Sequence, residues 1–327
     1  TPKEAITLDL WSFWASEQPK RQFFEKAIQA FNDSHPGLTM KVTWYETDPL
    51  IQALRAELQA KTGKPDTYYA DPGPLPGYGI SPWVENGWAA DLTPYISVGN
   101  LKPVDAASWT YDGKLYGFPL ESGTLAIYVN LDYFEEAGVE FPATGRMTRE
   151  EFKEAVTKIR AQGRVPLAAG IQDSGWNDGL LLISQLARNL GLDDMAELYK
   201  GRLSWKDPRV QDALAYIEEL VKLGLYPREM PAQRYVDGFL QFSRGDAAMF
   251  ADGPWMLSRA YNPPEEGGIP PERLSRVRVM DFPAVEGGEY NDLMLHITGG
   301  SFIVNAYSKY IEETASFWEF INNQDWA

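Results

Sequence analysis

Residues 242–257, FSRGDAAMFADGPWML, place Trp255 behind a glycine turn, a short apolar run and the triplet Asp252-Gly253-Pro254. A core tryptophan needs no chain-breaking residues ahead of it. The spacing therefore predicts an indole delivered at the end of an element, where its face can act as a binding platform. The chain has 11 Trp and 17 Tyr, more aromatic surface than two ordinary cores demand, which points to a ligand-binding surface. Catalytic chemistry has fewer candidates. With no cysteine there is no thiol nucleophile and no thiolate metal site. The two histidines, His35 in the turn NDSHPG and His296 in LMLHITGG, lack a second histidine at metal-ligand spacing, so no metal is expected. The glutamate pairs 135/136, 150/151, 218/219 and 312/313 fall on amphipathic helical patterns and read as solvated faces, not as paired catalytic carboxylates.

A formal charge of −16 argues against nucleic acid and anionic membrane as partners, because both reward clustered Lys and Arg. No apolar run approaches the roughly 18 residues of a membrane span. The start, TPKEAITLDL, lacks a charged region followed by an apolar one, so the chain reads as either cytosolic or secreted and already trimmed. At 327 residues the length suggests two domains.

The elements that would position these residues follow an α/β pattern. Ile6, Leu8 and Leu10 alternate with polar residues as a half-buried strand running into the aromatic cluster Trp11 to Trp14. A helix with Phe23, Phe24, Ala27, Ile28 and Phe31 on one face follows, then the strand LTMKVTWY, which makes a parallel βαβ unit. The pattern repeats with the helix LIQALRAELQAKTG and the strand PDTYYA. In such sheets ligands bind beyond the carboxyl ends of the strands, which is where Trp14, Asp71 and the loop DPGPLPGYG carrying Tyr78 lie. Asp112-Gly113 predicts a hairpin turn. Thr148 with Glu151 predicts a capping box for a helix to about Gln162. VPLAA, Ala247 to Phe250, Arg276 to Phe282 and GGSFIVN read as strands, and helices are expected at 177–190, 208–223 and from Ile311 to the C-terminus. Trp44, Trp83, Trp88, Trp205 and Trp318 lie in apolar patterns and read as structural.

Seven segments, in order, resemble the carbohydrate-binding class of extracytoplasmic solute-binding proteins of ABC importers, which includes the maltodextrin-binding proteins. They are ITLDLWSFW, FFEKAIQAFNDSHPGL, GKPDTYYAD, ENGWAADLTPYI, DGKLYGFPLESGTLAIYVNLDYFEEAGV, FSRGDAAMFADGPWML and GGSFIVNAYSKYIEETASFWEFI. The resemblance implies a two-lobed type II (Venus flytrap) periplasmic-binding fold with crossing strands and a sugar held in the interdomain cleft. It implies an N-terminal lobe of 1–119 plus 284–305 and a C-terminal lobe of 120–283 plus 306–327. Members usually continue for several dozen residues past the helix that FWEFI begins, so the C-terminal lobe is expected to be cut short here.

Sugars present C–H faces and dense hydroxyls, so their sites pair aromatic platforms with carboxylates and amides of fixed direction. The resemblance carries the ligand-binding role onto Trp14, Asp71, Tyr78, Glu121 in FPLES, Trp176 and Asp178 in DSGWND, Trp255, and the turn Gly299-Gly300-Ser301. Trp11 and Phe13 compete with Trp14 for the position facing the ligand. The implied function is binding of a sugar or oligosaccharide and its delivery to permease subunits of an ABC importer. A monomeric, non-enzymatic protein without cofactor is expected, in the periplasm or as a cell-surface lipoprotein, with its signal peptide removed. Two other readings stay open at this point: a glycoside hydrolase with an aromatic cleft, and a solute-binding protein for a non-sugar ligand.

Overall fold

The computed structural model describes residues 5–71, 79–96, 103–172 and 176–323. Its strands, in chain order, are β1 (Ile6–Ser12), β2 (Leu38–Trp44), β3 (Thr67–Ala70), β4 (Thr110–Tyr111), β5 (Lys114–Leu115), β6 (Phe118–Thr124), β7 (Ala126–Asn130), β8 (Val165–Ala168), β9 (Ala247–Asp252), β10 (Val277–Met280) and β11 (His296–Val304). The chain forms two compact units, Thr1–Gly123 with Thr298–Ala327 and Thr124–Ile297, and passes from one to the other twice.

The first unit is built on a five-stranded sheet in the order β2-β1-β3-β11-β6. The alternation in ITLDL buries Leu8 and Leu10 and fixes the register of β1, which runs parallel to β2 from Ile6 opposite Leu38 to Ser12 opposite Trp44. The crossover is the helix Gln18–Ser34, which buries Phe24, Ala27, Ile28 and Phe31, as the helical spacing of its apolar residues predicts. β3 adds parallel to β1, and β11 returns antiparallel to β3 with Ser301 opposite Ala70. The Asp112-Gly113 hairpin forms between β4 and β5 with both turn residues at positive φ, 49° and 76°.

One domain assignment is corrected by this packing. The sequence reading gave 306–327 to the second lobe, but the helix Ile311–Asn323 belongs to the first unit. Its Trp318 stacks on Phe302 of β11 with ring centroids 4.6 Å apart, and its indole N–H donates to Thr67 Oγ1 of β3 at 3.1 Å. Phe317 packs edge-on against Phe31. An apolar helical face takes the nearest open sheet face, and here that face is β11. Residues 120–123 also lie with the first unit, whereas 284–297 lie with the second.

The second unit holds a four-stranded sheet in the order β10-β7-β9-β8. β9 lies inside it and all six of its residues are buried, which accounts for the continuous apolar run AAMFA. The expected capping box is present: Glu151 N–H donates to Thr148 Oγ1, and Thr148 N–H donates back to the Glu151 carboxylate. The helix expected to end near 190 continues as Trp176–Tyr199 across a break at Gly191, where φ is 75° and ψ 166°. Tyr235–Arg244 is a helix that the sequence reading did not identify. Gly238 sits in the middle of it because a Cβ there would meet the backbone of Ala169 at 3.0 Å, and its neighbours Phe239 and Phe242 are buried. Trp205 is a second correction, since it is 49 % exposed. It lies in a turn ahead of the helix Pro208–Lys222, outside that helix's apolar spacing.

Candidate functional site

In the second unit the end of β9 delivers an indole, as DGPW implies. Asp252 closes the strand, Gly253 and Pro254 turn the chain, and Trp255 opens the short helix Trp255–Ala260. The half-buried indole folds back over Gly253 so closely that a Cβ on that glycine would meet the ring at 2.2 Å. Any other residue at 253 would displace it. The carbonyl of Gly253 accepts a hydrogen bond from Tyr128 Oη of β7 at 3.0 Å, which ties this turn to the sheet.

Asp252 beneath it is fully buried. Tyr235 donates its hydroxyl to Asp252 Oδ2 at 2.7 Å, and the Trp255 indole N–H also bonds to the carboxylate. Oδ1 is left buried with no hydrogen-bond partner among the described residues. Burial pushes the Asp252 carboxyl up to about 7, against the Tyr235 hydrogen bond, the Gly253 backbone N–H, the Arg259 charge and the Trp255 hydrogen bond, which favour its ionised form. Burial, and then the charge of Asp252, also raise the pKa of Tyr128. The Arg259 guanidinium lies 5.4 Å from the centroid of the Tyr235 ring.

In the first unit Tyr69 organises a second cluster. Its hydroxyl donates to Asp71 Oδ1 at 2.7 Å and accepts the backbone N–H of Gly300 at 3.1 Å. Asp71 is half-buried and follows the end of β3, where a bridge to Gly79 continues the pairing. Gly300 sits in β11 at φ 60°, a conformation that glycine adopts without strain. Phe13 packs edge-on against the Tyr69 ring with centroids 4.2 Å apart.

Of the residues named from sequence, Asp71 and Gly300 are thus brought together, with Gly299 and Ser301 buried on either side of Gly300 in β11. Trp255 stands in the second unit with Asp252 and Tyr235. Trp14 is corrected to a core residue. It is 2 % exposed, because the chain turns into a 3-10 helix at Trp14–Ser16 and tucks the indole against Phe24, Tyr69 and Phe302. Its neighbour Phe13 is the half-buried ring beside Tyr69. Tyr78 lies outside the described residues, as do the side chains of Glu121 in β6 and of Trp176 and Asp178 at the start of their helix.

Sequence reasoning missed Tyr69, Tyr235 and Asp252. Tyr69 carried a signal, since it precedes Asp71 by two residues and so shares its side of an extended chain. Asp252 was visible as part of DGPW but was read only as a turn-former. Tyr235 sits in the helix that went unrecognised. Among the described residues no group of three or more His, Asp or Glu could hold a metal ion, and no helix is long and apolar enough to cross a membrane.

This chain is similar to proteins already known. A stretch of 153 residues is 29 % identical to a binding protein of Brucella abortus, covering 46 % of this chain and 35 % of that one, so the match spans about a third of that relative's length. The arabinooligosaccharide-binding protein of Bacillus subtilis is 22 % identical over 321 residues, 96 % of this chain and 69 % of its own. Among solved structures, one from a study of xylan utilization by the thermophilic bacterium Caldanaerobius polysaccharolyticus superposes with a TM-score of 0.84 at 23 % identity, over 98 % of this chain and 78 % of that one. That likeness shows a shared α/β fold. The profile of one family, bacterial extracellular solute-binding proteins, matches residues 14–326, and the chain belongs to that family.

Proposed function

We propose that this chain binds a sugar or oligosaccharide outside the cytoplasm and passes it, chemically unchanged, to the permease of an ABC importer. The observation that carries the reading is Trp255: a half-buried indole seated on a glycine and braced by a buried carboxylate is a rigid platform for the C–H face of a sugar ring. Asp71 and Tyr69 add the other ingredient, polar groups held in fixed directions to discriminate among hydroxyls. Relatives named for arabinooligosaccharide and lactose support the ligand class. The family supports a binding role over the glycoside hydrolase alternative, which needs two carboxyls facing each other across the scissile bond. Glu121, Trp176, Asp178 and Tyr78 are proposed as further ligand contacts.

The test is a panel of mono- and oligosaccharides read by calorimetry, with the sugar recovered and its length checked. A ligand of this class returns intact, and Trp255→Ala weakens its binding by at least about thirtyfold, the effect of losing a central aromatic anchor. Shortened sugar would establish an enzyme. Undiminished affinity in the variant would remove Trp255 from the site.

A further inference from the structure

The buried carboxylate under Trp255 is more than a turn-former. Asp252 accepts from two side-chain donors on two different helices, the Tyr235 hydroxyl and the Trp255 indole, and from the backbone N–H of Gly253, with the Arg259 charge acting on it as well. A fully buried carboxylate is costly, and an apolar residue would complete β9 at lower cost. What the carboxylate accomplishes is directional. It ties the start of the helix Tyr235–Arg244 and the first residue of the helix Trp255–Ala260 to one point at the end of β9. Gly253, lacking a Cβ, leaves room for the six-membered edge of the indole to rest on the turn. We propose that Asp252 is the positioning residue for the Trp255 ring, clamping it through the indole N–H, and that protonation of Asp252 weakens that clamp.

The ionised carboxylate accepts its donors as charge-assisted bonds, whereas a proton placed on Oδ1, unpartnered among the described residues, removes the charge and leaves Oδ2 as a weaker, neutral acceptor. The groups facing it make it titratable in an accessible range. Tyr235 comes from one helix and Arg259 from the other, and Tyr128 comes from β7; β8, of sequence VPLA, contributes no titratable side chain. Desolvation against these partners places the carboxyl at about 7. The clamp is therefore engaged above neutrality and loosened below it.

The proposal rests on the reading of Trp255 as a ligand platform only for its consequence, so its test is made without sugar. The protein labelled with 15N at its tryptophans gives indole N–H resonances, and Trp255→Phe identifies the one that belongs to residue 255. That resonance is expected to move with pH along a single-site curve centred within about one unit of neutrality. In Asp252→Asn, which keeps an acceptor of the same shape, it stays constant. Tyr235→Phe removes a donor that favours the charged form and shifts the midpoint to higher pH. A resonance that does not titrate in the natural protein, or one that titrates equally in Asp252→Asn, overturns the proposal. If a sugar is found, its affinity falls about fivefold from pH 8 to pH 5.5, the equivalent of one hydrogen bond, and this dependence is absent in Asp252→Asn. A titrating indole together with undiminished sugar binding in Trp255→Ala would uphold the clamp and refute the ligand site, which keeps the two failures apart.

Discussion

Each unit of the molecule contains an aspartate at the end of a strand that accepts a tyrosine hydroxyl at 2.7 Å, yet the two pairs sit in opposite environments. Asp71 is half-buried, and its partner Tyr69 relays the bond onward to the backbone of Gly300. Asp252 is sealed, and its donors converge on it. The first arrangement leaves a carboxylate partly exposed, which suits the proposed role of accepting from a sugar hydroxyl. The second withdraws the carboxylate and presents an aromatic ring in its place. One pair chemistry thus yields a partly exposed carboxylate in one unit and a buried one beneath an aromatic ring in the other. The level of burial makes the difference.

The largest consequence of that difference is thermodynamic. In the fold the Asp252 carboxyl titrates at about 7, above its ordinary 3.8. Between those values the folded protein keeps a proton that the unfolded chain gives up. Stability therefore falls as pH rises through this window, by about 4 kcal/mol once pH exceeds the folded value. Asp252→Asn abolishes that slope. Its melting temperature relative to the natural protein is expected to climb from pH 4 to pH 7 and then level off, measured by scanning calorimetry in matched buffers. Parallel curves would show that Asp252 is not buried as a titrating group, and the contrast with Asp71 would collapse.

Gly253→Ala tests the apolar half of the comparison. Its methyl would meet the Trp255 ring at 2.2 Å, so the indole must leave the turn. The expected cost is about 2 kcal/mol of stability, typical of overpacking, with a red shift of tryptophan emission as the ring becomes more solvated. An unchanged emission spectrum would mean that the ring does not rest on this glycine.

How far these features could be read from the sequence depended on how local their causes were. The strands β1, β2 and β3, the helix Gln18–Ser34 and the capping box at Thr148 follow from apolar spacing and short-range hydrogen bonds, and they are found as read. DGPW announced the placement of Trp255 because the signal lies in adjacent residues. The failures are non-local. Trp14 looked available to a ligand until Phe302, 288 residues further along by number, closed over it. The helix Ile311–Asn323 showed its apolar face but not which unit would cover it. Trp205 was misread for the opposite reason, since an apolar neighbourhood in sequence became a solvent-facing turn. Within the candidate site, Asp252 and Tyr235 are 17 residues apart and meet only because a helix with a glycine at its centre approaches the sheet closely.

The smallest effect discriminates best, because it makes the same substitution on both sides. Tyr69→Phe and Tyr235→Phe each delete one hydroxyl beneath one aspartate. At Asp71 the half-exposed carboxylate regains water, so the main loss is the partner of the buried Gly300 N–H, about 1 kcal/mol. At Asp252 no water replaces the lost donor, and the ionised carboxylate is left more poorly satisfied, about 2 kcal/mol at pH 8. Lowering the pH should erase the difference, since at a protonated Asp252 the lost bond is an ordinary neutral one, while the cost at Tyr69 stays tied to a backbone amide that does not titrate. Urea unfolding of both variants at pH 8 and pH 5.5 reads this directly. A gap of about 1 kcal/mol that closes on acidification supports the contrast drawn between the two carboxylates, and a gap that persists at both pH values would assign it to packing of the two rings instead.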